Sequence, residues 1–427
     1  MLWLLGEKRV DRDDVIRRIV ELVFALSNEL EAVDDANPND LWPLHPDREP
    51  TDRFKLARPY ADEIVSLVRQ WNGAQLSDHV ILSRLIYGAA AIRIQLKISD
   101  DELRERAERN AADLIDYRAT RQVDVPVLSL DLHGEPFKFG PVTFHPIGAD
   151  DKETDWWKWA KSTLQDLADG LFLSYARIIV PGDPHRSVEN AAAIVGEALL
   201  ILRGVGFPLV AEERQQIGII NEFPMWRNVP YRLGHPKETT RVDAQTGLVM
   251  TTGAFKFPYN LKRDILSGIP PEKLQVLLSL VDSGGLAPTQ EMHARVLSGF
   301  RWLGEATKPD ALAARFAKVA FSLEAFVGGD AKDDMLSARG ITAALAERTA
   351  FLVSDDPEAR IKVDKDVRRF YSTRSGIAHG RRALASPSDF EEFGGLVRTV
   401  GVAILGRLDE FRSIDELQHW VTIQRYS

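Results

Sequence analysis

The sequence predicts a mainly α protein: a C-terminal antiparallel helical bundle preceded by a helical and α+β N-terminal region. Three observations predict it. Apolar residues recur at helical spacing through residues 12–118. Strand-like alternation with a period near two first appears at residues 123–132. Beyond residues 282–288, every apolar pattern is helical again, with Gly, Pro and Asp clustered in the gaps. The chain has 427 residues, and at roughly 100–200 residues per domain that suggests two or three domains.

Residues 1–121 read as the first region. Val15, Ile19, Leu22, Leu26 and Leu30 lie on one helical face and predict a helix over 15–33. A Pro- and Asp-rich loop follows at 34–50, then helices over 54–71, 77–98 and 100–121. The last is highly charged and is expected to face solvent. Residues 122–284 read as an α+β region, either a domain of its own or one unit with 1–121. Strands at 123–132 and 137–144, joined by the turn His133-Gly134-Glu135, predict a β-hairpin. Helices are expected at 155–179 and 187–204, and strand-like pieces between 215 and 259, with a turn at Thr246-Gly247. Residues 282–288 read as a linker. Residues 285–427 then carry helices at 289–307, 310–327, 341–353, 363–379 and 387–411, whose short connections favour antiparallel neighbours.

Composition excludes several function classes. Hydrophobic residues make up 44%, enough for sizeable cores. With 54 Lys and Arg against 63 Asp and Glu, the formal net charge is −9. A chain of that sign is not a general polyanion binder, so contact with nucleic acid requires a local basic patch. The absence of cysteine removes disulfides, thiolate nucleophiles and cysteine-rich zinc sites, and fits a reducing compartment. The apolar start Met1–Leu5 turns charged at Glu7, Lys8 and Arg9, too soon for a signal peptide. No apolar run approaches the roughly 18 residues of a membrane span. The expectation is a soluble cytoplasmic protein with no membrane partner. The histidines show no metal-ligand spacing. The acidic pairs at 150–151, 333–334 and 355–356 read as turns, loops or helix starts. No phosphate-binding glycine loop occurs, so no metal, nucleotide or other cofactor is expected.

One helix concentrates chemistry. Over 363–379, Val363, Val367, Phe370, Arg374 and Ile377 form one stripe, which places a permanent guanidinium among apolar residues. Such a charge is costly unless it is paired or lines a cleft. Tyr371, Ser375 and His379 form an adjacent row, and Gly380 can cap the helix in the left-handed conformation. Between 361 and 382, seven basic residues (Lys362, Lys365, Arg368, Arg369, Arg374, Arg381, Arg382) face two acidic ones (Asp364, Asp366), a net of +5 in an acidic chain. An imidazole with a pKa of about 6.5 moves protons at neutral pH, and an arginine holds a phosphate bidentately. Together they suit attack of a ribose 2′-hydroxyl on its own phosphate, a reaction confined to RNA that needs no metal.

The string from Phe370 to Gly380, with Arg374 and His379 inside it, resembles the R-x4–6-H motif of HEPN domains. It is closest to their Apea-like branch, where an aromatic precedes Arg-Ser and His-Gly closes the helix. Phe321–Phe326 resembles the family's Leu-Glu-Ala helix, Leu345–Ala350 its Glu-Arg-x-Ala segment, and Arg301-Trp302-Leu303 fits the same layout. The resemblance covers the last third of the chain. It implies a HEPN-type helical bundle that dimerises through the motif helix, so that two copies of Arg and His form one RNase site. It also implies a toxin–antitoxin, antiphage or stress setting. Carried over, Arg374 binds and stabilises the scissile phosphate, His379 is general base or acid, and Ser375 and Tyr371 support them. Arg374 and His379 lie about 140° apart on a straight helix, a physical reason to expect the dimer.

Each residue also has a plainer use. Arg374 can form a structural salt bridge with Glu324. His379 can be a cation at a helix C-terminus. Arg348, on the stripe Ile341, Leu345, Arg348, Leu352, reads as structural, with Glu324 as a possible partner. Tyr371 and Ser375 can pack and cap, and Arg381 and Arg382 are either RNA contacts or a solvated pair. Trp156, Trp157 and Trp159 read as helix packing in preference to a base-stacking platform. A second R-x6-H match, Arg412 to His419, is set aside because it lies past the last long helix with no apolar stripe. The leading expectation is a metal-independent endoribonuclease, restrained by the N-terminal two thirds or by a trigger protein. The alternative is a non-catalytic HEPN module that dimerises and binds RNA or protein.

Overall fold

The computed structural model describes residues 11–31, 52–72, 76–82, 84–85, 98–148, 151, 174–207, 217–219, 239–242, 249–252, 259–308, 310–329, 340–380 and 385–426. It is mainly helical, with a small antiparallel sheet in the N-terminal half. The chain divides into two compact units, 1–123 with 179–191, and 124–178 with 192–427. No helix among the described residues is long and apolar enough to cross a membrane.

In the first unit, α1 (Arg12–Glu31), α2 (Asp52–Asn72), α3 (Asp78–Leu82) and α4 (Asp100–Ile115) pack around Ile19, Val23, Leu26, Ile64, Val68 and Leu103. Most of the expected helix at 77–98 beyond α3 lies outside the described residues. The Ser99 hydroxyl caps α4, accepting from the Glu102 N–H at 3.3 Å. This helix ends at Ile115, short of the expected residue 121, because Asp116 takes the C-cap and the chain is extended by Thr120. Nor does it simply face solvent. Leu103, Ala107, Ala111, Leu114 and Ile115 are buried, and the charges occupy the opposite face.

A five-stranded sheet with strand order β3-β4-β5-β1-β6 follows, most of its residues in the second unit. Its strands are β1 (Thr120–Leu128), β3 (Phe137–Phe139), β4 (Val142–Pro146), β5 (Ser174–Pro181) and β6 (Gly218–Ile219). The expected hairpin between 123–132 and 137–144 does not form, since β5 lies between β4 and β1. The actual hairpin is β3–β4, in register Phe137↔Phe144, turning at Gly140 with φ 58°. Ser129, with φ 61°, breaks the run after β1. The short β2 (Leu130–Asp131) then pairs in parallel with β9 (Tyr259–Asn260). β5 also corrects the helix expected to reach residue 179. Ala176, Ile178 and Val180 are buried on alternate positions, and a β-branched run favours a strand. The rest of that expected helix, including Trp156, Trp157 and Trp159, lies outside the described residues. β7 (Thr239–Val242) and β8 (Val249–Thr252) form a separate antiparallel pair.

The C-terminal half of α5 (Pro184–Val205) joins the bundle through two glycines. A Cβ on Gly204 would lie 2.0 Å from the Phe300 carbonyl oxygen, and one on Gly304 1.9 Å from that of Leu200. Backbone therefore meets backbone where α5 crosses α7 (Glu291–Ala306). Helix α6 (Pro271–Gly284) takes the first three residues of the expected linker, and the chain leaves it at Gly285, with φ 65°. After α7 come α8 (Leu312–Val327), α9 (Ile341–Val353), α10 (Pro357–Ala378), α11 (Pro387–Leu405) and α12 (Ile414–Tyr426). Short connections make α7–α8 and α9–α10 adjacent pairs. Phe300, Phe316, Phe326, Phe370 and Phe393 fill the core between them.

Two ends and one helix differ from expectation. α10 begins six residues earlier than residue 363, because Asp356 caps it and Pro357 suits its first turn. α11 stops at Leu405 and not at residue 411, where Gly406 becomes the C-cap and turns follow. α12 was not expected at all. Ile414, Leu417 and Val421 are buried along it, so the Arg412–His419 region does have an apolar stripe. Arg412 nevertheless precedes that helix, whereas Arg374 lies within α10.

Candidate active site

The site begins with how α10 is held. Its first turn is closed by the Asp356 carboxylate, which accepts the Ala359 N–H at 2.8 Å. Val367, Phe370, Tyr371 and Gly376 face inward. The Phe370 ring stacks on Phe393 at 4.6 Å and meets Phe316 at 6.3 Å. This anchorage fixes the rotation of the helix, and Arg374, one turn past Phe370, emerges at the edge of the core.

Arg374 is not loose there. Its Nη2 lies 3.5 Å from Glu324 Oε1, and its Cζ lies 5.8 Å from the Phe321 ring centroid. The exposures of the two side chains are 34% and 35%, so the pair is wet and weakly stabilising. Tyr371 reaches the same carboxylate. Its hydroxyl donates toward Ala320 O at 3.3 Å and Glu324 Oε1 at 3.4 Å. Burial first, and then the Glu324 charge, push its pKa well above the usual phenol range, so Tyr371 stays a neutral donor. Glu324 is thus shared by a phenol and a guanidinium. Arg348, almost fully buried, donates from Nη1 to Val327 O at 2.8 Å and ties α9 to the C-terminal end of α8.

His379 is the C-cap of α10. Its N–H donates to Ser375 O at 3.0 Å, and Gly380 follows with φ 67°, the left-handed conformation expected of it. The imidazole is exposed at the C-terminal end of the helix. It lines an open pocket of about 460 Å³ together with Arg368, Ser372, Ser375 and Gly376 of α10. Tyr371 and Thr342, the latter from α9, complete the wall. Arg374 is not among these residues; its guanidinium is turned toward α8.

The expected basic surroundings are reduced in three dimensions. Arg368 is paired with Asp364 at 2.7 Å. Arg369 is paired with Asp389 and, at 2.8 Å, with Glu392, both from α11. Arg381 and Arg382 lie outside the described residues. Sequence reasoning counted Arg368 only as charge and missed Ser372 and Thr342. The signal was present, since Arg368, Ser372, Ser375 and His379 follow i, i+4, i+7, i+11 and so share one face. No spacing rule brings Thr342 to them.

Comparison with protein-family models, with curated proteins and with solved structures finds no match.

Proposed function

We propose that the protein is a metal-independent endoribonuclease of the HEPN type, whose site is completed by a second copy through α10. The observation that carries this reading is the division at one helix end. His379 opens onto a hydroxyl-lined pocket, while Arg374 presents a guanidinium about one-third exposed on an adjacent face. One chain does not bring both to one phosphate, and two chains related by a twofold axis can. Acting as base, His379 takes the proton of a ribose 2′-hydroxyl. The oxygen then bonds to phosphorus and the P–O5′ bond breaks. The departing O5′ takes that proton back from the imidazolium, leaving a 2′,3′-cyclic phosphate and a 5′-hydroxyl. Arg374 holds the non-bridging oxygens as charge builds on them. Ser375 and Tyr371 support that arrangement, Tyr371 by fixing Glu324. A toxin or antiphage role, restrained by the first two thirds of the chain or by a trigger protein, fits an RNase that would otherwise harm its own cell.

The second reading is a non-catalytic HEPN module that dimerises and binds RNA or a protein. The Arg374–Glu324 pair favours it, because it gives the arginine a structural use. Cleavage of a mixed tRNA and single-stranded RNA pool in EDTA, wild type against His379→Ala, separates the two. The nuclease reading expects cutting by wild type alone, with cyclic phosphate ends. Equal cutting by both proteins removes His379 from the mechanism.

A further inference from the structure

The geometry points to Arg368, and not only the motif residues, as a ligand for RNA: the pocket beside His379 takes one nucleotide, with Arg368 on its phosphate. Four observations lead there. The pocket, of about 460 Å³, lies within the size range of small-molecule sites. Its chemistry is that of a sugar phosphate, with one guanidinium, one imidazole and the hydroxyls of Thr342, Ser372 and Ser375. The remaining hydroxyl of the lining, that of Tyr371, is already committed to α8, which leaves the serines and the threonine for a ribose. Finally, Arg368 is half exposed at 49%, and among the described residues its hydrogen bonds go to its helix neighbour Asp364, at 2.7 and 3.2 Å. An exposed i, i+4 pair is weak, so a phosphate can displace the carboxylate without unfolding anything.

Among the described lining residues there is no Asp, Glu, Asn or Gln side chain, and with Arg368 on the phosphate and the hydroxyls on the ribose none of their donors is left to read a base edge. The site therefore recognises the ribose–phosphate chain and is indifferent to base identity. Asp364 acts as an internal competitor that keeps Arg368 in place when no RNA is bound. This inference rests on the RNA reading above, but it adds a residue outside the motif and a direction of effect that the motif does not supply.

The test is fluorescence anisotropy at low ionic strength with labelled 2′-O-methyl oligoadenylate and oligouridylate, which bind but cannot be cut by 2′-hydroxyl attack. Arg368→Gln should weaken both by about tenfold, with Arg368→Lys in between. Asp364→Asn should tighten both by about two- to threefold, because it frees Arg368 and removes a negative charge. A merely structural pair would move both variants the same way. Circular dichroism establishes that each variant is folded. Undiminished binding by Arg368→Gln, weakened binding by Asp364→Asn, a strong preference for one base, or a wild type that binds neither oligonucleotide overturns the inference. Cleavage of unmodified RNA is scored separately. A wild type that cuts RNA while Arg368→Gln binds normally removes the pocket and keeps the nuclease. A wild type that does not cut, but shows the binding pattern, keeps the pocket and favours the binding-module reading.

Discussion

Arg374 and Glu324 face each other at 3.5 Å across α10 and α8, and this turns the guanidinium away from the pocket that His379 lines. Both side chains are about one-third exposed, so the pair is worth about 0–1 kcal/mol. Glu324→Gln keeps an acceptor for the Tyr371 hydroxyl and removes the charge. Its urea midpoint should barely move, while RNA affinity should rise about two- to fivefold as Arg374 becomes available to phosphate. An affinity that does not change would assign Arg374 to the scaffold.

The separation of Arg374 from His379 makes a prediction about stoichiometry. Arg374→Ala and His379→Ala should each reduce cleavage by about 10²- to 10⁴-fold. Neither should lose helix content, since neither side chain is buried. Mixing the two inactive proteins, with exchange of subunits, should restore cleavage above either alone, because a mixed dimer keeps one intact Arg–His combination. Dimers that form without restored activity would mean that both groups act within one chain.

Gly204 and Gly304 predict a stability contrast. At either position a Cβ meets a backbone carbonyl at 2.0 or 1.9 Å, and the helices must separate to admit it. Gly204→Ala and Gly304→Ala should each cost about 1–3 kcal/mol or more. Gly196, on α5, has nothing within 4 Å of its Cβ position. There the same substitution should stabilise by about 0.4–1 kcal/mol, through helix propensity and a less flexible unfolded chain. Thermal unfolding of the three variants reads the contrast directly. A destabilised Gly196→Ala would show that the crossing is not what distinguishes these sites.

What the sequence disclosed depended on how local each signal was. The span 341–353 is legible to the residue, since Gly340 with φ 75° and the extended Ser354 bound it on both sides. α10 was placed from its apolar stripe and so began late. Its first turns are charged, and the acidic pair Asp355-Asp356 before it reads only as a turn or helix start. β5 was hidden because a strand is fixed by its neighbours. Tyr175 finds its partner His145 thirty residues away, across a segment whose local pattern also suits a helix. Charge behaved likewise. Arg369 adds one to any count along α10, yet Asp389 and Glu392 arrive from the next helix and cancel it. Arg374 and His379 were found by spacing, but the turn of Arg374 toward Glu324 depends on how α8 packs, which no single helix encodes.

Tyr371 yields the pH prediction. Its phenol is raised well above the usual range, chiefly by burial and then by Glu324, whereas in the unfolded chain it titrates near about 10. Above that pH the unfolded state releases a proton that the folded state retains, so stability falls as pH rises. The contribution is fully present below the unfolded value and is lost as the pH climbs from there toward the folded one. Tyr371→Phe removes the titration along with hydrogen bonds worth about 1 kcal/mol at neutral pH. Urea unfolding across neutral to alkaline pH should therefore show a variant that is less stable near neutrality and declines less steeply above the phenol range. Parallel decline in both proteins would mean that the alkaline sensitivity lies in another group and that the Tyr371 hydroxyl is not held as the geometry requires.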